Sequence, residues 1–143
     1  LYASEEEQTR ALFAPLRPGW VKEVRRGDIL IAGRNFGVGS SRPAARSLVN
    51  VGVACLVAES INPLFFRACV GYGLVAMSCP GATRFAREGE EIDVDPAAGL
   101  LRHVATAARL QGQPTPPDLL SIMRAGGMLP MMEREGLISP PRP

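Results

Sequence analysis

Short apolar runs alternate with helix-length stretches through the first half of the chain. The runs are residues 29–32, 53–58 and 74–77, and the stretches between them are 43–50 and 63–70. The apolar runs predict strands. The continuous run 53–58 is typical of a strand that is covered on both faces. Strands that alternate with helices favour a parallel sheet with crossover helices.

The second half of the chain has a different pattern of polar and apolar positions. Residues 91–95 alternate polar and apolar positions, and 100–104 follow a turn sequence, so the two segments predict a β-hairpin. Residues 114–117 are read as a linker, Asp118 as the cap of a helix that runs to Ala125, and 130–135 as a last helical turn or two. The pattern predicts one α/β domain over 1–143, with a mostly parallel sheet flanked by helices and an additional β-rich part.

Glycines and capping residues set the expected ends of the helices. Gly71 and Gly73 are expected to stop the helix that begins at residue 63. Residues 1–13 predict a short acidic helix capped by Ser4, and residues 139–143 predict a loose tail.

Length and composition exclude several classes of protein. The 143 residues are the length of one domain, 46% of them are hydrophobic, and the formal net charge is +2. No apolar run approaches the roughly 18 residues of a membrane helix, and the start lacks the pattern of a signal peptide. Arginines are scattered and aromatics make up 6%, so we expect neither a nucleic-acid partner nor a membrane.

Three widely spaced cysteines and one histidine limit the metal chemistry. Cys55, Cys69 and Cys79 form no Cys-x-x-Cys pair, and His103 is the single histidine. The chain by itself is expected to hold neither zinc nor an iron–sulfur cluster. The odd cysteine count favours reduced thiols and a cytoplasmic location. Cys55 is interpreted as a buried small hydrophobe; Cys69 has the better functional case, although core packing is favoured.

The segment 33–43 carries the most informative chemistry. It reads Gly-Arg-Asn-Phe-Gly-Val-Gly-Ser-Ser-Arg-Pro and joins an apolar run to a predicted helix. Pro43 fits the first helical position, and Ser40 or Ser41 fits the N-cap. A helix N-terminus with two hydroxyls and the guanidinium of Arg42 forms a receptor for a carboxylate or a phosphate.

The same segment resembles the signature of the aconitase swivel-domain family. The chain is most similar to the free-standing form of that domain, the small subunit of isopropylmalate isomerase (3-isopropylmalate dehydratase) and homoaconitase. The matching residues are Asn35, Phe36, Gly37, Gly39, Ser40, Ser41 and Arg42. Residues 57–66, 73–75 and 126–130 extend the resemblance, which is strong over about 21–75.

The resemblance implies a swivelling β/β/α domain and a hydro-lyase reaction. Such enzymes move a hydroxyl between adjacent carbons of a 2-hydroxy acid such as isopropylmalate, by dehydration and rehydration, and the family serves amino-acid biosynthesis. A Lewis acid that removes the hydroxide is implied to be an iron of a [4Fe–4S] cluster on a large partner subunit. The small subunit is implied to be active only in that heterodimer or heterotetramer.

Residue roles also follow from the resemblance. Ser40 would be the base, acting as an alkoxide that backbone N–H groups, the helix N-terminus and a guanidinium stabilise. Arg42 would bind a substrate carboxylate bidentately. Ser41 would donate to the same carboxylate or cap the helix, and Gly39 lets the backbone approach the substrate.

The chain departs from the family after Arg42. The family continues Ser-Ser-Arg-Glu-His-Ala, whereas this chain has Pro43 and Ala44 in place of the acid and the imidazole. The loss motivates an alternative, a non-catalytic or regulatory paralogue that binds a carboxylate or phosphate. A nucleotide-binding enzyme is a distant third, because the glycine spacing fits neither a P-loop nor a dinucleotide fingerprint. Isopropylmalate, homocitrate and methyl-substituted malates all remain compatible substrates.

Other polar and apolar features receive structural interpretations. His103 is expected on a strand, at the surface or partly buried, and Asp93 and Asp95 on the solvated face of a strand. Arg25 and Arg26 are expected in an exposed turn. Phe65 and Phe66 are expected in the core, and the apolar cluster 128–132 in the core or an interface.

Overall fold

The parallel sheet lies at the centre of the molecule. The computed structural model describes residues 17–38 and 43–138. Strands β1 (Ile29–Ala32), β2 (Cys55–Ala58) and β3 (Ala76–Ser78) pair in parallel in the order β1-β2-β3. The register pairs Leu30 with Leu56, and Leu56 with Ala76. The predicted parallel sheet with crossover helices is confirmed, although β2 and β3 each begin two residues later than expected.

Helices connect and flank these strands. A short helix α1 (Trp20–Glu23) precedes β1, α2 (Pro43–Val51) joins β1 to β2, and α3 (Pro63–Tyr72) joins β2 to β3. The remaining helices are α4 (Ala82–Phe85), α5 (Pro117–Arg124) and α6 (Met128–Arg134). No helix in the described part of the chain is long and apolar enough to span a membrane.

A second sheet is antiparallel. Strands β4 (Ile92–Asp95), β5 (Leu100–His103) and β6 (Arg109–Gln111) pair in the order β4-β5-β6. The hairpin between β4 and β5 was predicted, with Asp93 and Asp95 exposed as expected. Strand β6 was not predicted, because three residues are too few to show a periodic pattern.

The two faces of the parallel sheet pack against different layers. Leu56 and Ala58 of β2 belong to a core cluster shared with α2, α3 and α5. Cys55 and Val57 point the other way, into a cluster completed by Leu101 of the second sheet. Every residue of β2 is buried as a result. The architecture is therefore a three-layer β/β/α arrangement, and the continuous apolar pattern of β2 reflects cover on both faces.

Several predicted boundaries differ from the observed ones. Of the two predicted stop signals, Gly71 lies inside α3, whereas Gly73 caps the helix after Tyr72 with φ +80°. A single glycine costs a helix only about 1 kcal/mol, and the buried Val70 holds this turn against the core. Asp118 lies in the first turn of α5, while Pro116 occupies the N-cap. The expected linker 114–117 is tied down at Thr115, whose buried hydroxyl donates to the carbonyl of Ala76 over 2.9 Å.

Helix α6 begins at Met128, two residues before the expected start. The predicted acidic helix over 1–13 and the predicted tail 139–143 lie outside the described residues.

Candidate active site

Two turns at the carboxyl ends of β1 and β2 are joined by hydrogen bonds. The Asn35 N–H donates to the Ser60 hydroxyl oxygen over 2.7 Å, and the Phe36 N–H donates to the Ser60 carbonyl over 3.0 Å. The Asn62 N–H returns a bond of 2.8 Å to the Phe36 carbonyl. These contacts extend the parallel pairing by one bridge, from Phe36 to Ile61, past the ends of the strands.

Packing fixes the first turn against α3. The rings of Phe36 and Phe65 meet edge to face, with centroids 5.3 Å apart. Gly37 has φ +93°, and a Cβ at this position would overlap the Phe65 side chain. Only glycine satisfies both the backbone conformation and this close approach. Phe65 is 4% exposed, which confirms the core placement expected for it.

The four motif residues Gly39, Ser40, Ser41 and Arg42 lie outside the described residues. The chain on either side of them is held by backbone hydrogen bonds. The Val38 N–H closes a turn onto the Asn35 carbonyl over 3.2 Å, and α2 begins at Pro43. The motif therefore occupies the connection between a fixed turn and the first turn of a helix, the strand–turn–helix context that the sequence predicted.

Helix α2 is anchored by its apolar side. Ala45 and Leu48 are buried against the main core, and Ser47 is buried with them. Arg46 is half-buried, and its guanidinium lies over the ring of Tyr72, 5.6 Å from the centroid. The sequence analysis did not single out this arginine, although it follows Arg42 by four residues in the sequence.

Glu59, directly after β2, is a second residue that the sequence analysis missed. Its carboxylate accepts the Gly81 N–H over 2.7 Å, the Thr83 N–H over 2.9 Å and the Thr83 hydroxyl over 2.7 Å. These hydrogen bonds, from Gly81 first and then Thr83, lower the pKa of Glu59 to about 2, and Arg34 adds a smaller effect. An ionised carboxylate committed to the first turn of α4 links the sheet to that helix rather than exchanging protons.

The thiols are packed away from solvent. Cys55, Cys69 and Cys79 are all buried and free. Burial raises the pKa of Cys55 and of Cys69 to about 12, so both are protonated and are poor metal ligands. The core interpretation of Cys55 and Cys69 is confirmed. Within residues 17–38 and 43–138, no three His, Cys, Asp or Glu side chains group as a metal site.

His103 is more buried than predicted. It is 7% exposed, its Nε2 lies 2.9 Å from a carboxylate oxygen of Glu90, and the Phe85 ring stands edge-on to it. It belongs to the second sheet, on β5. Arg25 and Arg26 are exposed in the turn before β1, as expected.

The structure brings Asn35, Phe36, Ser60 and Phe65 together at the carboxyl edge of the parallel sheet, beside the start of α2. Two signals in the sequence pointed to Ser60: it lies two residues after the end of β2, and it falls within the segment 57–66 that extends the family resemblance. The carboxyl edge of parallel strands is where α/β folds bind ligands. The candidate active site is therefore this edge, from which the chain continues into residues 39–42.

Comparison with known proteins identifies the family of this chain. The family described as the aconitase C-terminal domain matches residues 17–81. The small subunit of isopropylmalate/citramalate isomerase from Methanocaldococcus jannaschii is 33% identical over 136 residues, covering 94% of this chain and 81% of the relative. The 3-isopropylmalate dehydratase small subunit of Pyrobaculum neutrophilum is 41% identical over 123 residues, covering 85% and 75%.

A solved structure shares the fold. A crystal structure of 3-isopropylmalate dehydratase from Methanocaldococcus jannaschii superposes with a TM-score of 0.83 at 20% identity, covering 95% of this chain and 81% of that one. The resemblance and the β/β/α fold predicted from the sequence are both confirmed. This chain belongs to the family of 3-isopropylmalate dehydratase small subunits, within the aconitase superfamily, and is by that membership a hydro-lyase subunit.

Proposed function

We propose that this chain is the small subunit of a two-chain aconitase-type hydro-lyase that isomerises or dehydrates a 2-hydroxy di- or tricarboxylic acid such as isopropylmalate. The observation that carries the proposal is the position of Gly39-Ser40-Ser41-Arg42 in the chain. The motif connects the turn fixed by Ser60 and Phe65 to the start of α2. Relatives named as dehydratase small subunits support the same role.

Ser40 is proposed as the base that removes the proton from the carbon next to a substrate carboxylate. A serine hydroxyl is too weakly acidic for this unless its anion is stabilised. The N–H groups and dipole of α2, nine residues long, supply part of that stabilisation, and Arg42 adds a full positive charge.

Arg42 is proposed as the bidentate clamp for a substrate carboxylate, which orients the carbon acid toward Ser40. Ser41 donates to the same carboxylate or caps α2, and Gly39 lets the backbone approach. The exposed Arg34 lies on the same edge of the sheet and adds positive potential for an anionic substrate.

The residues of this chain do not fit an iron–sulfur cluster. The three thiols are buried, they form no metal-binding group within the described residues, and burial raises the pKa of each. We therefore assign the [4Fe–4S] cluster of the proposed enzyme to a large partner subunit, in a heterodimer or heterotetramer that acts in the cytoplasm. The chain alone is then expected to be inactive.

Replacing Ser40 tests the proposal. Ser40→Ala in the reconstituted two-chain enzyme should lower kcat by about 10²–10⁴-fold, the usual contribution of a positioned base. The measurement is the ultraviolet absorbance of the unsaturated acid, with isopropylmalate and related hydroxy acids as substrates. Ser121→Ala, at an exposed position of α5, is the matched control and should leave kcat unchanged. Full activity of Ser40→Ala would refute the base assignment.

The departure from the family after Arg42 favours one alternative function. Without the acid and imidazole, the chain could be a non-catalytic or regulatory paralogue that binds a carboxylate or phosphate. Helix α2 nevertheless starts at Pro43, so the substitution is compatible with the helix start. Calorimetric binding of a hydroxy dicarboxylate to the isolated chain, together with no turnover in the presence of the large subunit, would support the paralogue instead.

A further inference from the structure

We propose that Val38, Leu64 and Arg67 form the surface through which this chain docks its large subunit, directly beside the candidate active site. The inference rests on the proposed function, since it names the surface used by the partner proposed there. We call these three residues the docking triad.

Two of the three residues are the most exposed large apolar side chains in the described part of the chain. Leu64 is 72% exposed and Val38 is 66% exposed. Single exposed apolar residues are ordinary, but these two adjoin the same contact. Val38 follows Gly37, Leu64 precedes Phe65, and Gly37 and Phe65 are in direct contact. The two residues are therefore the exposed chain neighbours of one packed contact.

Hydrogen bonds hold the backbone at both residues of the apolar pair. The Asn62 side chain accepts the N–H groups of Leu64 and Phe65 over 3.0 and 3.3 Å, which fixes the first turn of α3. Val38 stands in a turn closed by its own N–H. A surface that is already ordered loses little conformational entropy when a partner covers it.

The chain segment that carries the pair has a positive net charge. Between residues 33 and 72 the sequence has four arginines and a single acid, Glu59. The carboxylate of Glu59 already accepts hydrogen bonds from Gly81 and Thr83. Arg67 is exposed on α3, three residues after Leu64 and so on the same side of the helix. The surface fits a partner with an apolar centre and an acidic rim, and a second copy of this basic surface would be repelled.

Position in the chain explains why the large subunit is the occupant. Val38 is bonded to Gly39, the first residue of the Gly-Ser-Ser-Arg motif, and adjacent Cα atoms are about 3.8 Å apart. A partner that completes the site around Ser40 must therefore cover the immediate surroundings of Val38.

A second apolar surface on the same molecule provides the control. Leu129 is 64% exposed, nearly as much as Leu64, but it lies on α6. The start of α6 packs against the other end of α3, at Gly71 and Gly73. Ten helical residues separate the two ends of α3, or roughly 15 Å. The acidic and basic residues of α6 are mixed rather than of one sign.

The test compares Leu64→Asp with Leu129→Asp in binding to the separately purified large subunit, measured by calorimetry or analytical ultracentrifugation. Leu64→Asp should weaken the complex roughly 30-fold or more, as expected for the centre of an interface. Leu129→Asp should change it less than about threefold. Arg67→Glu should weaken it as well, with a smaller loss at high salt. Circular dichroism checks that each variant is folded.

Each outcome decides the question. Weak binding of Leu64→Asp with normal binding of Leu129→Asp supports the docking triad. The reverse result, or equal binding of both variants, overturns it while leaving the two-chain proposal intact. Failure of the unaltered chain to bind the large subunit would overturn the proposed function as well. Self-association of the unaltered chain that Leu64→Asp abolishes would make a second copy the occupant.

Discussion

The parallel and antiparallel sheets of this protein contribute differently to its function. The parallel sheet is apolar through its central strand, and its crossover helices bring the ends of β1 and β2 to one edge. The antiparallel sheet alternates half-buried and exposed positions along β4 and β6. The aconitase C-terminal match covers residues 17–81, and therefore the parallel sheet alone. One region forms the candidate active site, and the other covers the opposite face of the sheet that supports it.

Residues 79–85 join the two regions. Ala82 and Phe85 of α4 pack in the cluster between the sheets, and Glu59 at the end of β2 holds the first turn of that helix. A substitution in either region is therefore expected to change the stability of the other region as well. The four predictions below test how far the two regions behave as one unit, from the largest expected effect to the smallest.

Leu101→Ala should destabilise the whole protein by about 2–5 kcal/mol, because Leu101 is fully buried between the two sheets and its loss leaves a cavity. Leu56→Ala, in the central parallel strand, should lower the free energy of unfolding by a similar amount. Urea unfolding is followed by circular dichroism and by the fluorescence of Trp20, the single tryptophan, which lies in α1 before the parallel sheet. One shared transition is expected for both variants. An unshifted Trp20 transition in Leu101→Ala would show two independent domains.

Gly37→Ala should destabilise the site region far more than its matched control. Gly37 and Gly89 have nearly the same φ, +93° and +88°. An alanine at Gly89 meets no atom within 4 Å and should cost about 1–2 kcal/mol through its backbone conformation alone. An alanine at Gly37 must also displace Phe65, which should add about 1–3 kcal/mol. Equal losses in urea unfolding would contradict the close contact.

Glu59→Gln should remove a pH dependence of stability. The pKa of Glu59 is lowered to about 2 by hydrogen bonds from Gly81 and Thr83, against about 4.3 in an unfolded chain. Its contribution is therefore complete above about pH 4.3 and is lost as the pH falls toward 2. Urea unfolding from pH 6 to pH 2 should show the unaltered protein converging on the variant. A constant difference across that range would contradict the assignment.

Asp93→Asn should have the smallest effect. Asp93 pairs with Arg102 across β4 and β5, and the two side chains are 59% and 40% exposed. An exposed ion pair contributes less than about 1 kcal/mol, and salt reduces it further. Urea unfolding at low and high salt measures the loss. A larger, salt-independent loss would mean that the antiparallel sheet depends on this pair.

Local pattern was sufficient to predict most of the fold. The strands of the parallel sheet and the β4–β5 hairpin were recognised because periodicity and turn residues act within a few positions of the chain. Strand β6 and helix α4, with three and four residues, were missed. Strand β6 is too short to show a period, and its Leu110 pairs with Leu101 of the preceding strand. Helix α4 depends on a distant partner, because Glu59 caps it from more than twenty residues away.

The sequence by itself determined the family, the order of the main elements and the motif from Gly39 to Arg42, because those signals are carried by contiguous residues. Only the tertiary structure decided that the Ser60 hydroxyl accepts a hydrogen bond from Asn35 and that Gly37 packs against Phe65. The same is true of the hydrogen bonds between the Glu59 carboxylate and the first turn of α4. Only the tertiary structure packed Gly37, next to Val38, against Phe65, next to Leu64. These contacts join residues more than twenty positions apart, and nothing local in a sequence specifies which distant groups will meet when a sheet and its helices pack together.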